Sequence, residues 1–393
     1  MNKKVIILID AFRWDYISKV YTPFLYSLSN NSYYIKQIIP APGFCERTEL
    51  FTGLGPFESK MFLAYTFKSK ISKGLYFNIL QYFDSLKFTN FNFFLIGKEI
   101  SIRKIIRVLA SKILNRNFQL IPFDFIDFFE LSEDKYSMDD MRFPIENLIR
   151  DLNRIGIKYS MKTFTGLNYE SSTDNERIEL FKKEINDKSL GYHFLYLGEI
   201  DFLGHKYGPT QLKKSKELLN FDEKIKGIIT SIKYISKNIE IQLIGDHGMS
   251  QIQSTYNIEA EINSFFKLHK LKRVKDYIYF LDSNYLRVWF FSDSNTNKLK
   301  FKEYFKNKKE GSFLSDQDLK SLNSGTRKYG DILWCANEGV LLFPNFFNYR
   351  ILKGMHGYYK SSSNSNGFYI KKNESNENIK IKQSTLSKIF KGA

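Results

Sequence analysis

Cysteine is almost absent from this chain: Cys45 and Cys335 are the only two in 393 residues. Two cysteines build no disulfide framework, and such sparse use fits a reducing compartment. Long apolar runs are missing too. No stretch approaches the ~18 residues that would span a bilayer. The N-terminal run Val5-Ile6-Ile7-Leu8-Ile9 is too short for the core of a signal peptide, and no small-residue cleavage site follows it. It reads instead as the first strand of a cytoplasmic protein. Histidine is also scarce, with five residues, so the position of each is informative. His205, His247 and His356 stand in glycine-flanked segments read as loops. His193 lies inside an apolar strand and reads as a core residue, and His269, near Lys267 and Lys270, reads as a surface residue.

What is present points to a substantial folded body. Hydrophobic residues make up 43% of the chain and aromatics 17%, and the length suits one large α/β domain with an insertion, or two domains. The net charge of +17 fits an anionic partner: phosphate esters, nucleotides, or the acidic face of a membrane that the protein touches peripherally. No pattern specifies a nucleic-acid site.

Three apolar runs read as strands buried on both faces, and each ends in a carboxylate or delivers one just beyond. Val5 to Ile9 ends in Asp10. Tyr192 to Leu197 leads into Gly198-Glu199-Ile200-Asp201-Phe202-Leu203-Gly204-His205. Ile239 to Ile244 leads into Gly245-Asp246-His247-Gly248-Met249. In an open α/β sheet, ligands bind outside the carboxyl ends of the strands. Carboxylates and imidazoles there are ordinary zinc ligands. Asp201 and His205 are four apart, a spacing that lets both reach one ion. His356, in Lys353-Gly354-Met355-His356-Gly357-Tyr358, adds one more donor. Three Asp and three His (Asp10, Asp201, His205, Asp246, His247, His356) can form two neighbouring metal sites, the arrangement that clamps both sides of a displacement at phosphorus.

Between the first two of these strands lies Pro40-Ala41-Pro42-Gly43-Phe44-Cys45-Glu46-Arg47-Thr48-Glu49-Leu50-Phe51-Thr52-Gly53, a Pro/Gly loop running into a short helix that ends near Gly53. Free N–H groups at such a helix start suit an anion, and a cysteine there has a lowered pKa. Cys45, Thr48 and Thr52 are the side chains available as nucleophiles. Thr22-Pro23 reads as an N-cap with proline at the first helical position. Residues 55–159 break the strand–helix rhythm and read as an inserted, aromatic-rich cap that selects the substrate, with residues 1–54 and 160–393 as the catalytic core. Within the insertion, Ile102 to Leu114 has the spacing of an amphipathic basic helix.

In order along the chain, these pieces resemble the alkaline phosphatase superfamily, and within it the type I phosphodiesterase/nucleotide pyrophosphatase branch. The segments carrying the resemblance are Ile9-Asp10-Ala11-Phe12-Arg13-Trp14-Asp15, Thr22-Pro23-Phe24-Leu25, Thr52-Gly53-Leu54, Asp201 to Pro209, Gly245 to Met249, Gly330-Asp331-Ile332 with Asn337-Glu338-Gly339, and His356-Gly357-Tyr358. The resemblance implies an α/β fold with a central, mostly parallel sheet sandwiched by helices. It implies two divalent metal ions, Zn2+ with Mn2+ as the alternative: one held at the Asp201, His205 and His356 positions, the other at the Asp10, Asp246 and His247 positions. It implies hydrolysis of a phosphate ester through a covalent phospho-enzyme, with a small phosphate ester, a sugar-nucleotide or a lipid-linked phosphate as substrate. A sulfatase or phosphonate-ester hydrolase of the same superfamily is the neighbouring alternative, and a metal- and anion-binding member without turnover is the other. One departure stands out. The family's nucleophile lies ten residues before the glycine of Thr-Gly, and here that position is Gly43, which has no side chain. That leaves Cys45, Thr48 or a metal-activated water for the role.

Overall fold

A computed structural model of the chain describes residues 3–68, 92–95, 98–101, 120–132, 144–164, 173–235, 238–372 and 380–390. The amphipathic segment read over 102–114 lies outside them.

Seven strands form the central sheet: β1 (Lys4–Ile9), β2 (Tyr33–Ile39), β3 (Tyr159–Thr163), β4 (Tyr192–Leu197), β5 (Glu240–Gly245), β10 (Gly367–Lys372) and β11 (Lys380–Thr385). Their order is β11-β2-β10-β5-β1-β4-β3. β3, β4, β1 and β5 run parallel, β10 is antiparallel to both neighbours, and β2 and β11 are parallel to each other. The sheet is thus α/β and mostly parallel, as the apolar, β-branched runs require: strands covered on both faces carry no polar alternation.

β1 shows how both faces are covered. Val5, Ile7 and Ile9 point into a core shared with α1 (Pro23–Asn30), α4 (Asp174–Glu184) and α6 (Glu217–Ile235), through residues such as Leu25, Phe181 and Ile228. Ile6 and Leu8 point the other way, toward Leu50 and Phe51 of α2 (Glu46–Thr52) and Ile149 and Leu152 of α3 (Leu148–Arg154). The period-2 alternation of a strand therefore feeds two helical layers from one sequence run.

The start of α1 departs from the sequence reading. Pro23 does occupy the first helical position, but the Thr22 hydroxyl makes no bond to the helix and instead donates to the Tyr16 carbonyl. The cap comes from α6. The Asp222 carboxylate accepts from the Phe24 N–H at 2.7 Å and from the Leu25 N–H at 2.9 Å. A residue almost two hundred positions away does what the local hydroxyl was expected to do, because the free N–H groups of a buried helix end need an acceptor from wherever the fold supplies one.

A second sheet, in the order β6-β7-β9-β8, is antiparallel and comprises β6 (Tyr277–Leu281), β7 (Tyr285–Phe290), β8 (Gly311–Phe313) and β9 (Ile332–Ala336). It builds its own core, which takes in Tyr65, Ile121, Phe125 and Phe129 from the segment read as the insertion, along with Phe265 and Phe266 of α7 (Ile258–Leu268). Much of the chain's aromatic content is used in this packing. The Arg287 guanidinium, fully buried in it, pairs with Asp282, donates to the Tyr65 carbonyl and lies over the Phe280 ring. Among the described residues, no helix is long and apolar enough to cross a membrane.

Candidate metal centre

The central sheet sets the site through register. Ile9 at the end of β1 lies opposite Leu197 at the end of β4 and opposite Gly245 at the end of β5. Three adjacent parallel strands thus stop at one level. Asp10 follows the first, α5 (Glu199–Tyr207) follows the second, and Asp246-His247 follows the third. Gly245 has no room for a side chain, since a Cβ there would come 2.5 Å from the Phe12 carbonyl.

His205 is not in a loop. It sits with Asp201 on α5, where the i, i+4 spacing puts both on one face, and the helix ends at Gly208, whose φ of +78° lets Pro209 open the next helix. The glycines on either side of His205 made the segment look like a turn. The sixth residue, His356, arrives from a loop after β9. Second-sheet residues hold that loop: the Asn284 side chain donates to the His356 carbonyl at 2.9 Å, and the Tyr285 hydroxyl donates to that of Gly357.

All six candidate ligands come together, in two groups. Asp201, His205 and His356 each offer a donor atom within 4.8 Å of the others, and so do Asp10, Asp246 and His247. His205 Nε2 stands 3.3 Å from Asp201 Oδ1, and His356 Nε2 stands 3.8 Å from the same oxygen. His247 Nε2 stands 3.0 Å from Asp10 Oδ1 and 3.9 Å from Asp246 Oδ1. The His247 and His356 rings stack at 4.0 Å, which brings the groups side by side.

Two of the imidazoles are oriented by backbone. His205 Nδ1 pairs with the Gly354 carbonyl at 2.9 Å and His247 Nδ1 with the Gly248 carbonyl at 2.8 Å. Each Nδ1 therefore donates its proton to a carbonyl, which leaves Nε2 as the nitrogen that faces the carboxylates. Metal-ligating histidines are held in this way.

The donor sets fit divalent cations. A third group of donors joins Glu46 to His247 and His356, so four carboxylates and three imidazoles share one place. Burial disfavours the Asp246 carboxylate, and the charges of Asp10 and Glu46 add to this against the pull of His247, so its pKa is pushed up to about 8. Burial would raise Asp10 too, but the bond and charge of His247, a bond from the Tyr196 hydroxyl and the charge of Arg47 hold it well below the usual carboxylate range. Burial opposes the charged form of His247, yet Asp246, Asp10 and Glu46 together raise it well above an ordinary imidazole. His356 goes the other way, lowered by burial and by the charge of His247. Asp201 Oδ1 and His356 Nδ1 are buried atoms without a hydrogen-bond partner. Unpaired donors and mutually repelling carboxylates are what cations would satisfy.

Of the two sequence candidates for the nucleophile, Cys45 is in none of the three donor groups. Cys45 precedes α2, and its Sγ lies 3.9 Å from the Ser132 hydroxyl, on the side facing Lys328 and Tyr329. Thr48 is fully buried, and its carbonyl accepts from the Thr52 hydroxyl. Gly43 has a φ of +101°, and a Cβ there would sit 2.2 Å from the Phe62 carbonyl. Sequence reasoning passed over Glu46 and Arg47. Glu46 is the first residue of α2. The Arg47 guanidinium lies 5.1 Å from the centre of the Tyr196 ring, beside Asp10. Attention to hydroxyls and thiols in that helix hid the charged pair between them.

Known proteins agree with this architecture. Over its whole length the chain superposes on murine ectonucleotide pyrophosphatase/phosphodiesterase 5, in an inactive variant bound to AMP, with a TM-score of 0.65, 16% identity and 93% of that chain covered. The human protein of the same name gives a TM-score of 0.65 at 15% identity, covering 99% of this chain and 93% of that one. In sequence, ectonucleotide pyrophosphatase/phosphodiesterase family member 7 of Rattus norvegicus is 25% identical over 101 residues, and that of Mus musculus 26% over 101 residues. Each match covers 25% of this chain and 23% of the relative, so the aligned part spans less than a quarter of those curated proteins. The model of the family "Type I phosphodiesterase / nucleotide pyrophosphatase" matches residues 133–358, more than half of the chain. With the fold, the order of the segments and the ends of the strands in agreement, the chain belongs to the type I phosphodiesterase/nucleotide pyrophosphatase family of the alkaline phosphatase superfamily.

Proposed function

We propose that the protein is a two-cation, zinc-type hydrolase of phosphate esters, acting on phosphodiesters of the nucleotide pyrophosphatase kind. The observation that carries this reading is the pair of donor groups standing side by side at the ends of β4, β1 and β5. Two divalent cations held there would draw charge from the phosphoryl oxygens and lower the pKa of water. The chain's own part is orientation. The backbone carbonyls of Gly248 and Gly354 fix which nitrogen of His247 and His205 faces the site. Tyr196 donates to Asp10 and holds its carboxylate in place. Arg47, packed over Tyr196, brings a permanent positive charge beside Asp10, where an anionic ester would be received. The AMP bound to the murine neighbour supports a nucleotide-type ester as substrate.

With Gly43 in the position of the family's nucleophile, and with Cys45 in none of the donor groups, we propose attack by water in a single displacement. The test is hydrolysis of bis(p-nitrophenyl) phosphate by the full chain loaded with Zn2+. Turnover should disappear with chelator and return with Zn2+. Hydrolysis of p-nitrophenyl sulfate in preference to the diester would move the protein to the sulfatase reading. Loaded protein that turns over neither ester would leave a metal- and anion-binding role.

A further inference from the structure

The histidines of the centre differ in what meets their second nitrogen. His205 Nδ1 donates to the Gly354 carbonyl at 2.9 Å, and His247 Nδ1 donates to that of Gly248 at 2.8 Å. His356 has no such bond: its Nδ1 is a buried atom without a hydrogen-bond partner among the described residues. Beside it stands a carboxylate. Glu46 Oε1 lies 3.5 Å from His356 Nδ1.

Resting on the two-cation reading above, we infer that Glu46 is the positioning residue of His356. In the metal-loaded protein it accepts the Nδ1 proton and so turns Nε2 toward Asp201 and the cation that Asp201, His205 and His356 would share.

Three observations carry this. First, the plane of the His356 ring is held but its edge is not. The ring stacks on His247 at 4.0 Å with 16° between the planes, and the Phe44 ring stands at 86° to it, 5.4 Å away. Asn284 holds the backbone carbonyl. A half-turn about the Cβ–Cγ bond leaves all three contacts in place, yet it exchanges Nδ1 with Cδ2 and Nε2 with Cε1. A polar group beside one edge is what separates the two states, because the bond made by one nitrogen decides which nitrogen is left for a metal. Second, the two nitrogens already face different carboxylates. Nδ1 faces Glu46, while Nε2 lies 3.8 Å from Asp201 Oδ1, the oxygen that His205 Nε2 approaches to 3.3 Å. The turned ring would present carbon to both. Third, Glu46 stands outside both cation sets. It groups with His247 and His356, and with none of Asp10, Asp246, Asp201 and His205. A carboxylate that adjoins a ligating histidine from outside its set fixes the ring and raises the basicity of the ligand nitrogen. His356 thus has an anion at Nδ1, where His205 and His247 have neutral carbonyls. Glu46 is also the first residue of α2, just beyond Gly43, so the segment that lacks the family's hydroxyl is still tied to the centre by this side chain.

The experiment uses the full chain, isotope-labelled at its histidines, as wild type, Glu46→Gln and Glu46→Ala. Long-range proton–nitrogen correlation spectra of the Zn2+-loaded protein read which nitrogen of each ring carries the proton and which carries the metal. Titration of the stripped protein with Zn2+ against a competing chelator reads the affinities. Wild type should bind two ions and show His356 protonated at Nδ1 and metal-bound at Nε2. Glu46→Ala should lose the protected Nδ1 proton, and one of its two affinities should fall by about 10–100-fold while the other stays within about threefold. Glu46→Gln, whose amide oxygen can still accept from Nδ1, should keep the proton signal and regain most of that affinity. A proton on His356 Nε2 in wild type would overturn the inference with no variant needed. It would equally be overturned by Glu46→Ala with an unchanged His356 signal and both affinities within about threefold, or by Glu46→Gln as weak as Glu46→Ala. Wild type binding fewer than two ions would remove the two-cation reading instead. The stripped protein would then still test the pairing, since a His356 signal alike in wild type and Glu46→Ala would sink it.

Discussion

His193 offers a sharp test of how the central sheet depends on pH. The residue sits in β4, is 1% exposed, and neither ring nitrogen has a hydrogen-bond partner. Its nearest aromatic contact is edge-on to Phe181 at 6.2 Å. Burial, helped by the charge of Lys3 and opposed by Glu184 and Asp187, lowers its pKa from 6.5 to about 4. As pH falls, the unfolded chain takes up a proton near the ordinary imidazole value, while the folded site refuses one until far lower. The stability tied to a neutral His193 is therefore present above 6.5 and is lost as pH falls toward 4. Linkage puts the loss between about pH 7.5 and about pH 5 at about 2 kcal/mol, out of about 3 kcal/mol over the full interval. His193→Phe keeps the bulk and removes the titration. The assay is urea unfolding of wild type and His193→Phe across that interval, with chelator present so that metal release does not enter. The variant should lose about 2 kcal/mol less than wild type over the interval. Stability curves running parallel to within about 0.5 kcal/mol would refute the assignment of His193 as a buried neutral base.

Four further predictions concern single side chains. Asp222→Ala strips the cap from α1 and leaves two N–H groups without an acceptor, so it should cost about 2–4 kcal/mol and lower Tm, read by calorimetry. Gly43→Ala forces a methyl group against the Phe62 carbonyl at a positive φ, and should destabilise by about 2 kcal/mol or more in urea titration. Cys45→Ser and Thr48→Val, made separately, should each leave kcat for the chromogenic diester within about threefold, whereas loss of about 100-fold in either would restore a covalent mechanism. Arg47→Met should raise KM for an anionic diester by about 10-fold or more with a smaller change in kcat, and an unchanged KM would remove Arg47 from the substrate's path.

Much of the sheet and of the donor set could be read from residues alone, for a shared reason. Apolar runs such as Val5–Ile9 and Tyr192–Leu197 have one physical use, strands covered on both faces, and Asp10 and Asp246 mark where those runs stop. His193 was legible on the same ground. His205 was harder. Gly204 and Gly208 suggested a turn, yet Gly204 is inside α5 because its missing side chain makes room for Met249, which a Cβ would approach to 3.0 Å. His269, read as a surface residue, is half-buried, with its ring 4.5 Å from that of Phe265. Asp222 as the cap of α1 and Glu46 between the two donor groups lay beyond sequence reasoning, since both depend on packing between segments remote in the chain. Neither has a local pattern to announce it.

The loop that carries His356 is held by Asn284 and Tyr285, and its partners in one donor group are Asp201 and His205, far earlier in the chain. That span has a consequence for biosynthesis. The whole stretch from Asp201 to His356 must have emerged from the ribosome before this imidazole can meet its carboxylate, and domains fold as their segments emerge. A nascent chain that stops short of His356 would carry Asp201 and His205 without their third donor, so tight capture of a cation by that group would wait for the His356 loop, while Asp10, Asp246 and His247 would already be present. The second equivalent of metal would then separate molecules that have gained the His356 loop from arrested ones that share every strand up to β9.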